Sequence, residues 1–172
     1  MSNAAKGAAS LVTVRNAYPH ETGLLAEIGY AAWLAAVASW GESTAALAPA
    51  VRQSYERFCH EHRSLILVGE TNVAVAGWGA RENRRNEISD LWVDPDHQGQ
   101  GVGSAVLAAL EAEIVGLGYE TAELHTHARN IPAIELYKRR GYRISSLSDR
   151  YSPSLDRDVA TVFMTKELAD VR

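Results

Sequence analysis

Three glycines at alternate positions, Gly99, Gly101 and Gly103, follow the apolar run Leu91-Trp92-Val93 and the turn Asp94-Pro95-Asp96. Glycine removes the side chain where a ligand must approach the main chain, and the first turn of a helix leaves its amides without carbonyl partners and slightly positive. Three alternate glycines entering a helix are more than any common turn type requires. The N–H groups from Gln98 through Ser104 therefore form a candidate cradle for a pyrophosphate, with side-chain chemistry hardly entering. Other phosphate loops fit poorly. A nucleotide-hydrolase loop needs Lys and then Ser or Thr directly after its glycines, whereas Gly103 is followed by Ser104 and Ala105. A dinucleotide fingerprint counted from Gly99 puts its third glycine on Ser104.

The run Gln98-Gly99-Gln100-Gly101-Val102-Gly103 resembles the acyl-CoA-binding motif of the GNAT superfamily of N-acetyltransferases: Gln or Arg, two residues, Gly, one residue, then Gly or Ala. Further on, Asn130-Ile131-Pro132-Ala133-Ile134-Glu135-Leu136-Tyr137-Lys138-Arg139-Arg140-Gly141-Tyr142 resembles the same family's block Asn-x-x-Ala-x-x-x-Tyr-x-x-x-Gly-aromatic. The resemblance is specific from about Glu87 to Tyr142. It implies an α/β (α+β) fold, with a mixed, mostly antiparallel central sheet of about six or seven strands flanked on both faces by about four helices. It also implies acetyl-CoA as co-substrate, no metal, and transfer of the acetyl group to a primary amine by direct attack, with both substrates bound together. In this resemblance Leu91, Trp92 and Val93 border the pantetheine arm, with the main chain of Leu91 and Val93 making the hydrogen bonds. Gln98, Gly99, Gln100, Gly101, Val102, Gly103 and Ser104 surround the pyrophosphate, and Asn130, Ala133 and Tyr137 meet the CoA arm.

Expulsion of CoA leaves a thiolate whose conjugate acid is near pKa 8.5 by analogy with cysteine, and a phenol near pKa 10 can donate a proton to it. The family commonly uses the tyrosine matching Tyr137 as that acid; packing in the core is the plainer role for the same residue. Asn130, Ala133 and Tyr137 stand at i, i+3 and i+7, hence on one face of a helix. Asn130 followed by Pro132 in the first turn also suits an ordinary N-cap. An aliphatic amine near pKa 10.4 is almost wholly protonated at pH 7, so something must accept its proton. Glu87 is the leading candidate base, because histone-modifying members of the family carry their glutamate eleven residues before the glutamine matched by Gln98. Asp90 and ordered water compete, and strand alternation puts Glu87 and Asp90 on opposite faces unless a bulge intervenes.

These residues need elements to hold them. Leu11 to Arg15 alternates as a first strand, and Pro19 opens a helix running to about Ser39. A second helical stretch spans about Ser43 to Glu61, with Pro49 predicting a break between two short helices. Leu65 to Glu70 and Val73 to Arg81 read as a hairpin around Thr71-Asn72, and Glu87 to Val93 as one strand. Ser104 to Leu117 repeats apolar residues at helical spacing and ends at Gly118. Thr121 to Thr126 is a strand, and Asn130 to Arg140 a helix ended by Gly141. Tyr142 to Ser145 and Val159 to Thr165 are strands, and the serine-rich segment from Ser145 to Asp156 between them predicts a loop.

Residues 1–10 read as a flexible tail, and residues 11–172 as a single N-acetyltransferase domain, a size that supports one core at 47% hydrophobic residues. A net charge of -4 gives no basic field for nucleic acid and mildly favours cationic small molecules. The single cysteine, Cys59, excludes an intrachain disulfide and makes a reducing, cytoplasmic setting the default. It lies outside both motif blocks, which disfavours a covalent acyl-enzyme. The most apolar stretch, Ile28 to Ala38, is shorter than the roughly 18 to 20 residues of a membrane span. His125 with His127, and His60 with His62, lack the carboxylate or cysteine company of a metal site. Tyr30, Trp33 and Trp40 fall where the resemblance places part of the acceptor pocket, and core packing is the commoner fate of such residues. The partners implied are acetyl-CoA and a small or protein-borne amine, with a homodimer left open. The competing class is a CoA-binding sensor or regulatory module without turnover.

Overall fold

The structure, a computed structural model, describes residues 11–82 and 84–168, so the tail expected over residues 1–10 lies outside the described residues. Strand β1 (Thr13–Asn16) leads to helices α1 (Thr22–Ser39) and α2 (Ala48–Glu61), then to strands β2 (Ile66–Glu70), β3 (Val75–Ala80), β4 (Glu87–Ile88) and β5 (Asp90–Val93). Helix α3 (Val102–Gly116), strand β6 (Thr121–His127), helix α4 (Ile131–Arg139) and the strands β7 (Arg143–Ser152) and β8 (Arg157–Glu167) complete it. The expected single sheet is divided: β1-β2-β3-β5 form one four-stranded sheet, and β4-β6-β8-β7 form another. Among the described residues, only the β4–β6 pairing is parallel.

The division starts at Ser89. Glu87 and Ile88 pair with Glu123 and Leu124 of β6, whereas Asp90 to Val93 pair with β3. Ser89 between them donates its backbone N–H to the Ala80 carbonyl and belongs to neither ladder. Strands β5 and β6, neighbours in such a sheet, therefore run apart beyond the Ile88–Leu124 couple.

Two helical layers pack against the first sheet, one on each face. Trp78, Ile66, Val68 and Ala80 face α1 and α2 in one core cluster. The buried Trp78 indole donates to the Leu25 carbonyl at 2.7 Å, fixing α1 on the sheet. On the other face Gly77 and Gly79 leave no room for any Cβ: one built there would lie 2.9 Å from Val102 and Leu110 of α3. Helix α3 thus rests almost on the strand backbone, which keeps its N-terminus against β5. Its Val106, Leu107, Leu110 and Ile114 form a second cluster with Leu124 of β6, Tyr137 of α4 and Met164 of β8.

Three expectations about elements are corrected. Pro49 breaks nothing: it sits in the first turn of a single helix α2, where the missing N–H has no intrahelical acceptor anyway. The serine-rich segment after Ser145 is not a loop but most of β7, paired with β8 along its length, with Asp156 at φ +49° in the turn. The run Pro19–Ser39 does have the length and composition of a membrane span. However, Leu25, Ile28, Trp33 and Val37 of that run are buried against the sheet, as in a core helix.

Candidate active site

The geometry begins where β5 ends. Asp94 caps a short 3-10 turn, Pro95–His97, by accepting from the amide of Asp96 at 3.0 Å. The chain then passes through Gly99 and Gly101, both left-handed at φ +75° and +85°, conformations glycine adopts without strain. The first amide of α3 to find a backbone carbonyl is that of Ala105, on Gly101 at 3.0 Å. Among the described residues, those of 98 to 104 have no backbone acceptor, as a cradle for an anion requires. Gly103, inside α3, has right-handed backbone, unlike Gly99 and Gly101. A Cβ there would meet Leu136 of α4 and Val93 of β5, each at 3.4 Å, an ordinary contact that the packing of α3 on α4 and β5 can accept.

These elements enclose a cleft of about 440 Å3. Of the residues expected to hold CoA, Leu91, Trp92, Val93, Gln98, Gly99, Gly101, Val102, Gly103, Ser104, Asn130, Ala133 and Tyr137 line it. Gln100 does not; it is exposed beside the cradle. Asn130 occupies the N-cap position of α4 without capping through its side chain, which instead donates to Thr126 Oγ1 at 3.1 Å. The Tyr137 ring is buried against Tyr142, and burial, with the nearby Asp90 carboxylate, pushes its phenol up to about 12. It therefore stays protonated at neutral pH.

Glu87 is not among the residues that line this cleft. It is buried and lines a second depression with Arg84, Glu123, His125 and Phe163. Its Oε2 accepts from Arg84 Nε at 3.1 Å, and its Oε1 lies 3.3 Å from His125 Nδ1. The break at Ser89 also removes the expected opposition of faces. Ile88 and Leu91 both pack toward α3, so Glu87 and Asp90 share the other face. Asp90 accepts from Ser89 Oγ at 2.9 Å and Trp92 Nε1 at 3.0 Å, and burial raises its pKa. It lines neither depression.

Two arginines to which neither motif block assigns a role, Arg139 and Arg140, stand at the end of α4. Arg139 lines the cleft, and Arg140 donates to Ser104 Oγ at 3.0 Å, so α4 brings positive charge to the cradle. Their neighbourhood to Gly101 depends on tertiary packing that no local pattern carries. Ala32 and Ala36 of α1 also border the cleft. Trp33 is a core residue, while Trp40 stacks on His127 of β6 with ring centroids 4.3 Å apart. Cys59 is buried, and its thiol is pushed up to about 12 by burial and Asp90, which suits an inert side chain.

A mixed sheet divided at Ser89 thus carries one cleft in which an amide cradle and a buried tyrosine come together. Residues 25–142 match the Acetyltransferase (GNAT) family, and the chain belongs to that family. It is 33% identical over 90 residues to a mycothiol acetyltransferase of Clavibacter sepedonicus, a match covering 51% of this chain and 30% of that protein. It is 39% identical over 69 residues to the [ribosomal protein bS18]-alanine N-acetyltransferase of Escherichia coli (strain K12), covering 40% of this chain and 47% of that one. The matches thus span less than half the length of these curated relatives. Among solved structures, a GCN5-related N-acetyltransferase from Rhodopseudomonas palustris superposes with a TM-score of 0.76 at 21% identity, over 94% of this chain and 98% of that one. The PaiA N-acetyltransferase from Thermoplasma acidophilum, in complex with coenzyme A, gives 0.73 at 15% identity over 91% and 99%. At such identities the likeness concerns the fold.

Proposed function

We propose that this protein is an N-acetyltransferase that moves the acetyl group of acetyl-CoA to a primary amine by direct attack, with both substrates bound at once. One observation carries the reading: residues 98, 99 and 101 to 104, whose amides have no backbone acceptor, line the same cleft as Tyr137. The residues present fit the coenzyme. The glycines at 99 and 101 leave open space where a Cβ would stand, and Arg139 adds charge for phosphate. Acetyl-CoA, when bound there, supplies an activated thioester carbonyl. The cradle amides fix the diphosphate, Asn130 and Ala133 border the arm, and Tyr137 holds a proton for the departing sulfur. Rate then comes mainly from alignment, with acid and base help of roughly 10²-fold each. The likeness to a mycothiol acetyltransferase and to a [ribosomal protein bS18]-alanine N-acetyltransferase supports both small and protein-borne amines as candidate acceptors.

Calorimetry with CoA and acetyl-CoA, against NAD and ATP, tests the cradle. Micromolar CoA binding with none for the nucleotides is expected, and indifference to millimolar CoA refutes the reading. Release of free thiol from acetyl-CoA with peptides, polyamines and amino acids then separates a transferase from a CoA-binding sensor.

A further inference from the structure

His97 closes the short turn between β5 and the cradle, and nothing in the reading above gives it a part. It lines the cleft one residue before Gln98, whereas Asp94, three residues back, does not. The turn holds the two together. The Asp94 amide donates to the Ala76 carbonyl of β3 at 2.8 Å, and the Asp94 carbonyl accepts from the His97 amide at 2.8 Å, so the turn is anchored to the sheet and closed on itself. The Asp94 carboxylate is shared: Oδ1 takes the Asp96 amide, and Oδ2 stands 3.3 Å from His97 Nδ1.

The two ring nitrogens have different surroundings. Nδ1 is buried beside the carboxylate, at ion-pair distance but without the alignment of a hydrogen bond. Nε2 has no hydrogen-bond partner among the described residues and is not buried, so it belongs to the edge of this 20% exposed side chain that reaches the cleft. The imidazole therefore stands between a carboxylate and the space beside the cradle amides. A neutral ring donates from one nitrogen only, an imidazolium from both. With Asp94 on one side and a diphosphate on the other, only the charged ring has a hydrogen for each, and it also screens the two anions from one another. Few other charges face it. Asp96 is exposed on the same turn, and Arg139 of α4 also lines the cleft; α1 presents Ala32 and Ala36 there, and β5 presents Val93.

We propose that His97 is a further coenzyme-binding residue, an imidazolium that bridges the Asp94 carboxylate and the CoA diphosphate, so that coenzyme binding draws a proton onto the protein. The inference rests on the transferase reading above and deepens it at the cradle. The proton comes from solvent, and apart from the new N–H no covalent bond changes. Backbone amides and Arg139 hold phosphate equally well at every pH near neutrality, because neither titrates there. His97 does, and it makes the hold on the coenzyme firmer on the acid side of neutrality than on the alkaline side.

Calorimetry of the full chain with acetyl-CoA at pH 7.5, in buffers of low and high ionisation enthalpy, counts the protons taken up on binding. Roughly half a proton per coenzyme is expected in the wild type and none in His97→Gln, whose affinity should fall about 10-fold at pH 6.5 and less at pH 8.5. Dephospho-CoA keeps the diphosphate but lacks the 3′-phosphate, a monoester that itself titrates near pH 6, and should draw as much proton as acetyl-CoA does. Asp94→Asn keeps an oxygen for the Asp96 amide while removing the charge, so it should move the profile of uptake to lower pH. Side-chain nitrogen NMR of the wild type, which needs no variant, should show hydrogen on both His97 nitrogens in the complex at pH 7. Binding without proton uptake, uptake that persists in His97→Gln or vanishes with dephospho-CoA, or a singly protonated ring in the complex overturns the inference and leaves the transferase reading standing. A wild type that binds no CoA even at millimolar concentration overturns the transferase reading itself.

Discussion

Arg140 at the end of α4 donates to Ser104 in the first turn of α3 at 3.0 Å, closing the cleft's two helices onto each other beside the cradle. The contact leaves the serine amide free for a phosphate while placing a guanidinium next to it. Arg140→Ala removes both the tie and the charge. Because the pair is exposed, the loss is modest: KM for acetyl-CoA rises about 3- to 10-fold, with kcat within twofold. A similar KM effect in Ser104→Ala would assign it to the tie, whereas an effect confined to Arg140→Ala and abolished by salt would assign it to the charge.

Tyr137 is expected to act only through its proton. Tyr137→Phe keeps the buried ring among Leu124, Tyr142 and Met164, so thermal stability should change little. Turnover should drop about 10²-fold with KM for acetyl-CoA nearly constant. The phenol is pushed up to about 12, so its acid form persists through pH 7–10 and contributes no alkaline fall in that window. An alkaline limb below pH 10 that vanishes in the phenylalanine variant would contradict this placement, as would an unchanged turnover.

Legibility in the sequence followed the range of the interactions. The cradle and the α4 face were readable because their information is local: glycine spacing in one, the i, i+3, i+7 period in the other. The Glu87–His125 contact was not, because it depends on the parallel register of β4 with β6, and register is invisible in a single chain. The strand break at Ser89 hides for a related reason. One residue shifts the alternation, and nothing in Glu87-Ile88-Ser89-Asp90 marks where the two sheets divide. Strand β7 reads as a loop because its serines describe exposure rather than backbone: an edge strand open to solvent has little need of apolar residues, and most of its side chains are exposed.

Gly101 and Gly103 should respond differently to the same methyl group. Gly101 is left-handed at φ +85°, so an alanine there costs roughly 1–2 kcal/mol of backbone strain, and its Cβ stands in the open space of the cleft. Gly101→Ala should lower thermal stability and weaken CoA binding together. Gly103 lies in the helix, where the new Cβ meets Leu136 and Val93 at 3.4 Å, ordinary contact distance. Gly103→Ala should gain up to about 1 kcal/mol of helix propensity and lose CoA affinity far less. Calorimetry of both variants with CoA decides the matter; equal loss of affinity would mean that Gly103, too, serves the ligand.

Far from the cleft, Glu21 governs the acid stability of the α1 entry. Its buried carboxylate accepts from Arg15 at 2.6 and 2.9 Å and from the Tyr18 amide at 2.8 Å. The Arg15 hydrogen bonds, against the cost of burial, hold its pKa below the usual 4.5. A carboxyl depressed in the folded state adds stability that is fully present above its unfolded pKa and is lost as pH falls through the folded one. Glu21→Gln keeps the shape and removes the charge, so it should destabilise the protein by about 1–2 kcal/mol at pH 7. The deficit should shrink below pH 4.5, as the wild-type carboxyl takes up its proton. Urea unfolding at pH 7, 5, 4 and 3 measures this; a deficit that is the same at every pH would assign the cost to packing rather than to the ion pair.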